Sequence, residues 1–413
     1  MPTPIAVIAS LIKQIKNIGL QRPYVLFILC VAALFLGNMS ILIQTYYGDI
    51  HGAAVAWAIE RIGETAIVWS ISDIPRDQFL TLSFDHGREP EIRCDDQQLS
   101  DTFDSAGTVW NRRVGRVTTD TALTEGDREY VEYESKRFRE GLRYFISQQS
   151  FWVNPVHAAH AAEAKPLQLD VARSVGFNIP DTLITNDPSE VRQFRQRHGS
   201  VVFKTFRCPI WVSDSDSEKQ INSTFATVIE KSHEISRKEI CMAPAIYQKF
   251  IKKCYDIRVV CMGRTLFAMK INPPDDPFGR PDWRPFQHRL DVAVISIPKK
   301  IQFKIYQFMD RLSICFGCFD LVVDYDGKLY FLEINQMGQF LWMEQLCSRL
   351  PLLDAMARFL ISGNSKYIHT NVGNDITYLD FLNYAEENKL PEKYNKKKIY
   401  EQLKYGYNES GRK

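Results

Sequence analysis

Three oxygen-bearing side chains in the C-terminal third of this chain have the types and spacing to do chemistry. They lie in the stretch Phe319 to Phe340, which reads FDLVVDYDGKLYFLEINQMGQF. Leu321 to Val323 is apolar, Asp324 to Gly327 has turn composition, and Leu329 to Ile334 is apolar and aromatic again, so the segment reads as a hairpin of two strands. Asp320 opens the first strand, while Glu333 and Asn335 lie two apart on the second and project to one face. Hard oxygen ligands of this kind suit a magnesium ion that keeps some of its water and fills the rest of its shell from nucleotide phosphates. On an earlier strand Asp256 and Arg258 share parity and therefore a face; on geometry alone they are as much an ion pair as a site. No Ser, His and Asp set and no cysteine nucleophile site accompanies these residues. The chemistry they offer is placement and electrostatic stabilisation.

An Asp, a strand turn, then Glu-x-Asn followed by Gly-Gln resembles the metal-binding end of the ATP-grasp ligases. Further segments narrow the likeness to the graspetide synthetases, the microviridin-type maturases of ribosomal peptides. These are TVWNRR at Thr108 to Arg113, WVNPVHAAHAAEAKPLQL at Trp152 to Leu169, IPDTLIT at Ile179 to Thr185, YQKFIKKCYDIRVVCMG at Tyr247 to Gly263, and DWR at Asp282 to Arg284. They stand in the family's order and run from about Met39 to Leu360. The resemblance implies an α/β (α+β) ATP-grasp fold, with a pre-ATP-grasp domain at 39–155, a central subdomain at 156–246 and a C-terminal metal-binding subdomain at 247–365.

The same resemblance implies ATP and magnesium, two ions of it, with Asp320, Glu333 and Asn335 as metal ligands. Lys165 and Lys204 reach phosphate in such a site, and Gln248, Lys249, Phe250 and Ile251 form the adenine hinge. Asp256 and Arg258 belong to the ATP site, with Lys204 and Arg258 catalytic at the transferred phosphate. Arg112, Arg113, Lys270 and Arg284 are candidate contacts to peptide carboxylates, because a guanidinium fork matches a carboxylate in two hydrogen bonds. Adjacent strand residues face opposite ways, so one of Arg112 and Arg113 faces the site. The implied activity turns Asp or Glu side chains of a ribosomal precursor peptide into acyl phosphates, then into esters or amides within the same peptide. The implied partner is that precursor with its leader. Homodimers are common in the family, and neither nucleic acid nor a membrane is called for.

Two other readings compete. A carboxylate-amine ligase would add free amino acids to a protein or metabolite; against it stand VWNRR, DWR and the absence of any glycine between Lys204 and Gly263, where SDSDSE at Ser213 to Glu218 takes the place of a glycine-rich loop. A scaffold that binds nucleotide or peptide without turnover would have no need of the full metal set and both lysines.

Of 413 residues, 45% are hydrophobic and 24% charged, an ordinary globular composition with room for several domains. Lys plus Arg number 51 against 49 Asp plus Glu, so no global field recruits nucleic acid. Nine scattered cysteines fit a reducing compartment, the cytoplasm, and the lone CxxC at Cys315 and Cys318 sits in an apolar strand rather than a zinc site. Residues 1–38 form an apolar extension: Lys13, Lys16 and Arg22 precede Tyr24 to Leu36, a run short for a membrane span, and the reading favoured is a misassigned start with translation from Met39. Strand, helix and strand follow from Ser40 to Ser72, with Asp49 capping the helix. One helix is expected over Pro155 to Val175, another over Ile301 to Phe316 and a third over Leu341 to Leu360; residues 366–413 read as a polar helical tail, densest in charge at Lys396 to Lys398.

Overall fold

The computed structural model describes residues 40–206, 210–215, 218–223, 226–273, 283, 290–371, 373 and 375–387. The apolar run at 24–36, Met39, Asp282, Arg284 and Lys396 to Lys398 lie outside the described residues.

The chain opens with a parallel sheet. Strand β1 (Ile41–Gln44) is buried along its whole length, pairs with β2 (Ala66–Trp69) and, further on, with β5 (Thr108–Asn111); β6 (Phe151–Val153) closes the order β2-β1-β5-β6. Helix α1 (Ile50–Ile62) makes the crossover: Asp49 caps it by accepting from the Gly52 N–H, and Gly63 ends it at φ +97°, a left-handed position that glycine takes without strain. A small hairpin of β3 (Leu80–Ser83) and β4 (Glu91–Cys94), helix α2 (Gln97–Ser105) and helix α3 (Glu125–Leu142) complete this part.

Where one helix was expected over 155–175 there are two, α4 (Val156–Glu163) and α5 (Lys165–Ser174). Pro166, in the first turn of α5, has no N–H to continue the ladder of α4 and is well placed only at a helix start. An antiparallel sheet follows with order β11-β8-β12-β7. Its members are β7 (Thr182–Thr185), β8 (Val201–Lys204), β11 (Thr227–Ile229) and β12 (Ala245–Lys249), with helices α6 (Pro188–His198) and α7 (Arg237–Met242) between them. Among the described residues after Lys204, β9 (Ile210–Ser215) pairs antiparallel with β10 (Glu218–Ser223); Asp216 and Ser217 of SDSDSE lie outside the described residues.

The third layer is a five-stranded sheet in the order β15-β14-β13-β16-β17. It comprises β13 (Lys253–Met262), β14 (Thr265–Ile271), β15 (Val292–Ile295), β16 (Phe316–Asp324) and β17 (Leu329–Asn335), with α8 (Lys299–Arg311) before β16; the helix stops short of the expected Phe316, which is already strand. Alternation gives the sheet two apolar faces. Ile257, Phe319 and Phe331 pack with Val171 of α5 and Phe308 of α8, whereas Val260, Met262 and Met269 join the core that holds α1. The helix expected over 341–360 is also two, α9 (Leu341–Leu346) and α10 (Leu352–Ser362), parted at Pro351.

The expected polar tail is not uniformly polar. Helix α11 (Tyr378–Glu386) buries Tyr378, Phe381, Leu382 and Ala385, and Phe381 meets Trp57 of α1 edge to face at 5.7 Å. Four apolar residues at helical spacing outweigh the lysine-rich composition around them. Glu344 of α9 joins this docking: its carboxylate accepts from the Tyr378 N–H at 2.6 Å and the Leu353 N–H at 2.8 Å. Burial pushes Glu344 up from the ordinary 4.5 to about 7, against the lowering effect of those N–H groups. A carboxyl raised in the folded state holds its proton more tightly there, so its stability contribution is complete below 4.5 and is lost as pH rises through about 7. Unfolding free energy should therefore contain a component that falls over that window and is missing from Glu344→Gln. Equal pH slopes for the two proteins in denaturant titrations would refute this.

Candidate active site

Register sets the site. Arg258 on β13 lies opposite Asp320 on β16, and Asp320 lies opposite Glu333 on β17, so the three form one row across adjacent strands. Asp320 is in the middle of its strand rather than at the start. Arg258 Nη1 donates to Asp320 Oδ1 at 2.7 Å. Burial works against the Arg258 charge, but Asp320, Cys318 and Glu333 outweigh it and leave the guanidinium more firmly protonated than usual. Beyond Asp320 the pairing skips from Glu333 to Phe331, leaving Leu332 as the extra residue of a bulge, a device that re-aims side chains beside a site. Asn335, two residues past Glu333, is exposed, and its side-chain oxygen accepts from the Met337 N–H at 3.0 Å.

Lys165, the first residue of α5, forms an ion pair between its Nζ and Glu333 Oε2. Lys204 ends β8, where its Nζ donates to Gln248 Oε1 at 2.8 Å; Gln248 Nε2 in turn donates to Thr182 Oγ1 at 3.0 Å. A cleft opens between the antiparallel sheet and the five-stranded one. Val202, Phe250, Ile251, Val322 and Leu332 give it apolar walls, with Lys204, Gln248, Lys249 and Lys253 supplying polar groups. Apolar walls together with lysine ammonium groups suit a purine and its phosphates.

Asp256 and Arg258 share a face but do not pair with one another. Asp256 pairs with Lys253, whose Nζ is 2.7 Å from Oδ2, and both side chains are buried. Lys253 is a cleft residue that the sequence reading missed; its only signal was a lysine three positions before an aspartate in an otherwise apolar strand. The substrate candidates separate. Lys270 pairs in register with Ile257 and lies 4.5 Å over the Tyr255 ring, on the sheet face opposite Arg258 and Asp320. Arg113 is half-buried, and Arg284 lies outside the described residues.

Arg112 is not placed to meet a peptide. It is fully buried, with Nε 3.2 Å from Asp49 Oδ2, and its Nη1 donates to the carbonyl oxygens of Met337 and, at 3.4 Å, Gly338. Burial alone would raise the Asp49 carboxyl; the Arg112 guanidinium first, then Arg113 and a hydrogen bond from Thr45, outweigh it and hold Asp49 below the usual carboxylate range. His51 is pushed down to about 3 by burial first and then by Arg112, so it is neutral and its Nε2 accepts from the N–H groups of Phe340 at 3.1 Å and Leu341 at 3.2 Å. Arg258 Nη2 donates to Gln339 O at 3.2 Å. Every residue from Met337 to Leu341 is thus held by a side chain reaching in from β13 or from the parallel sheet and its helix. Gly338 leaves room for this: a Cβ there would stand 2.6 Å from Cys318 and 3.0 Å from Arg258 Nη2.

Two further amides lock the β16–β17 hairpin. Asn154, of the WVNP motif, accepts from the N–H groups of Cys315 at 2.8 Å and Phe316 at 2.9 Å, and donates to Phe316 O and Gln336 O. Gln168, on the buried side of α5, accepts from the Ile334 N–H at 3.1 Å and donates to Ile334 O at 3.0 Å, between Glu333 and Asn335. Cys315 and Cys318 are free and buried, and burial pushes both thiols up, out of the reactive range. Because removing one partner strands the other as a buried charge, Asp49→Asn should cost about 3–5 kcal/mol of stability. Denaturant unfolding checks this; a loss below about 1 kcal/mol would assign the pair the weight of a surface ion pair.

No family model matches the chain, and no curated protein matches it by sequence. Solved structures do. A RiPP-associated ATP-grasp ligase of Chryseobacterium gregarium, in complex with ADP and a leader and core peptide, superposes with a TM-score of 0.70 at 22% identity, covering 82% of this chain and 99% of that one. Macrocyclase MdnC of Microcystis aeruginosa MRC, bound with precursor peptide MdnA, gives 0.66 at 25% identity, covering 78% and 100%. ATP-grasp ligase PsnB, complexed with a minimal precursor, gives 0.62 at 18% identity, covering 79% and 100%. With these likenesses spanning nearly the whole of each neighbour, the chain has the ATP-grasp ligase fold.

Proposed function

We propose that the protein is an ATP-dependent ligase that cross-links side chains within a ribosomal precursor peptide. The observation that carries this reading is the row of Arg258, Asp320 and Glu333 beside a cleft ending in Lys204 and Gln248. The donor set fits the group it would hold. Asp320, Glu333 and Asn335 offer hard oxygens to magnesium, and Val202, Phe250, Ile251 and Leu332 offer a base apolar walls. When bound, MgATP supplies the phosphoryl group that activates a carboxylate. The protein's own part is placement: Lys204 and Arg258 balance phosphate charge, Lys165 does so beside Glu333, and Asp256 fixes Lys253 at the cleft wall.

The partner on this reading is an acidic precursor peptide carrying a leader, met in the cytoplasm by a homodimer, and Arg113 is the remaining described arginine of the substrate set. Among the described residues no helix is long and apolar enough to cross a membrane. The neighbours bound to leader, core or precursor peptides support a peptide substrate over a free amino acid.

Intact mass of the precursor peptide encoded nearest this gene, after incubation with the protein, ATP and magnesium, tests the proposal. Loss of one water per new bond, only with ATP, is expected. A gain of amino-acid mass would replace the proposal with the carboxylate-amine ligase. Glu333→Gln should lower turnover by roughly 100-fold or more, a charge-stabilising group being worth that much. It should leave the circular dichroism spectrum of the protein unchanged. Turnover at the parent rate would remove Glu333 from the metal set.

A further inference from the structure

Away from the cleft, three side chains able to ligate a metal converge where the chain crosses from α10 to α11. Asp354 stands in the first turn of α10 with its side chain fully buried; His369 and Asp375 belong to the crossing itself. One ligand atom of each lies within 4.8 Å of the others. The crossing is fixed in place, since Arg264 N donates to Tyr367 O and His369 N donates to Thr265 Oγ1, both at 2.7 Å.

Each of the three groups is held from behind. His369 Nδ1 is 2.9 Å from the Tyr367 hydroxyl, Asp354 Oδ2 accepts from Arg358 Nε at 2.6 Å, and Asp375 Oδ2 accepts from Asn371 Nδ2 at 2.8 Å. The other atoms are left over. His369 Nε2 and Asp375 Oδ1 are buried and have no hydrogen-bond partner, and Asp354 Oδ1 has only a long contact of 3.3 Å from the Ile376 N–H. Polar atoms buried without partners are costly and rare, so two of them in one cluster call for a shared partner. A partner behind each ligand is also what orients imidazole and carboxylate groups around a metal.

We propose that Asp354, His369 and Asp375 form a zinc site that pins the crossing, and with it α11, to α10. One imidazole nitrogen with two carboxylate oxygens suits Zn²⁺, with water in the fourth position. Magnesium prefers an all-oxygen octahedron and is poorly served by imidazole. Two carboxylates balance the ion, and the Arg358 guanidinium rests on the outer oxygen of Asp354. Asp375 also borders a surface pocket with Trp57, Asp380 and Tyr384, which gives an ion a way in. The site shares no residue with the proposed magnesium cradle and stands independently of the proposed function.

The test strips the full-length protein with a chelator, returns it to millimolar magnesium so that the hard-oxygen positions are filled, and titrates Zn²⁺ against a chromogenic competitor. One zinc per chain is expected, together with a raised thermal midpoint. His369→Ala and Asp375→Asn should each weaken zinc binding by roughly 10- to 100-fold or more, and Tyr367→Phe, which removes only the group behind His369, by about 10-fold. Circular dichroism of each variant separates lost binding from lost folding, and Tyr367→Phe keeps the test decisive if either ligand variant fails to fold. Less than one zinc per chain in the parent, or zinc held with the parent's affinity by the folded variants, overturns the proposal.

Discussion

The structure depends on a charge pair that water does not reach. Asp49 and Arg112 are both buried, and each is tolerable there only because of the other. Asp49 also caps α1, while Arg112, the residue after β5, reaches to carbonyls in the loop after β17. The parallel sheet and the loop after the β16–β17 hairpin are therefore joined by directional hydrogen bonds rather than by apolar contact alone. Neutral His51 adds acceptance of two N–H groups from the same loop. Hydrophobic burial would let this loop slide; fixed donors and acceptors give it one position, and Asn335 at its start inherits that precision.

The fold was legible because its largest elements carry strong patterns. The hairpin from Phe316 to Asn335 and the α1 crossover each follow from alternation, helical spacing and turn residues near at hand. The row of Arg258, Asp320 and Glu333 was only half legible. Parity puts Asp256 and Arg258 on one face, but which acid meets which base depends on register with β16, a non-local fact. Arg112 shows the limit most clearly. An arginine in a motif invites a substrate role, and nothing in TVWNRR tells that its Nη1 is donated to carbonyls more than 200 residues later in the chain. Gln168 and Asn154 escaped notice for the same reason: a buried amide declares itself only through the backbone it satisfies. The docking of α11 was hidden differently, by composition averaged over a lysine-rich tail.

The Gln168 amide has an effect on what may associate with this protein. β17 is the outermost strand of its sheet, and such strands expose a row of donors and acceptors that invite another extended chain. Gln168 takes both backbone groups of Ile334, and the Phe331 N–H is already donated to Asn178 O at 2.8 Å. The ladder is capped along the part that carries Glu333. An extended peptide cannot lengthen the sheet there by strand addition, so any chain brought to the acidic row must approach it through side chains and over the sheet face. Closing that edge also withholds a ready template for self-association from the strand that carries the site.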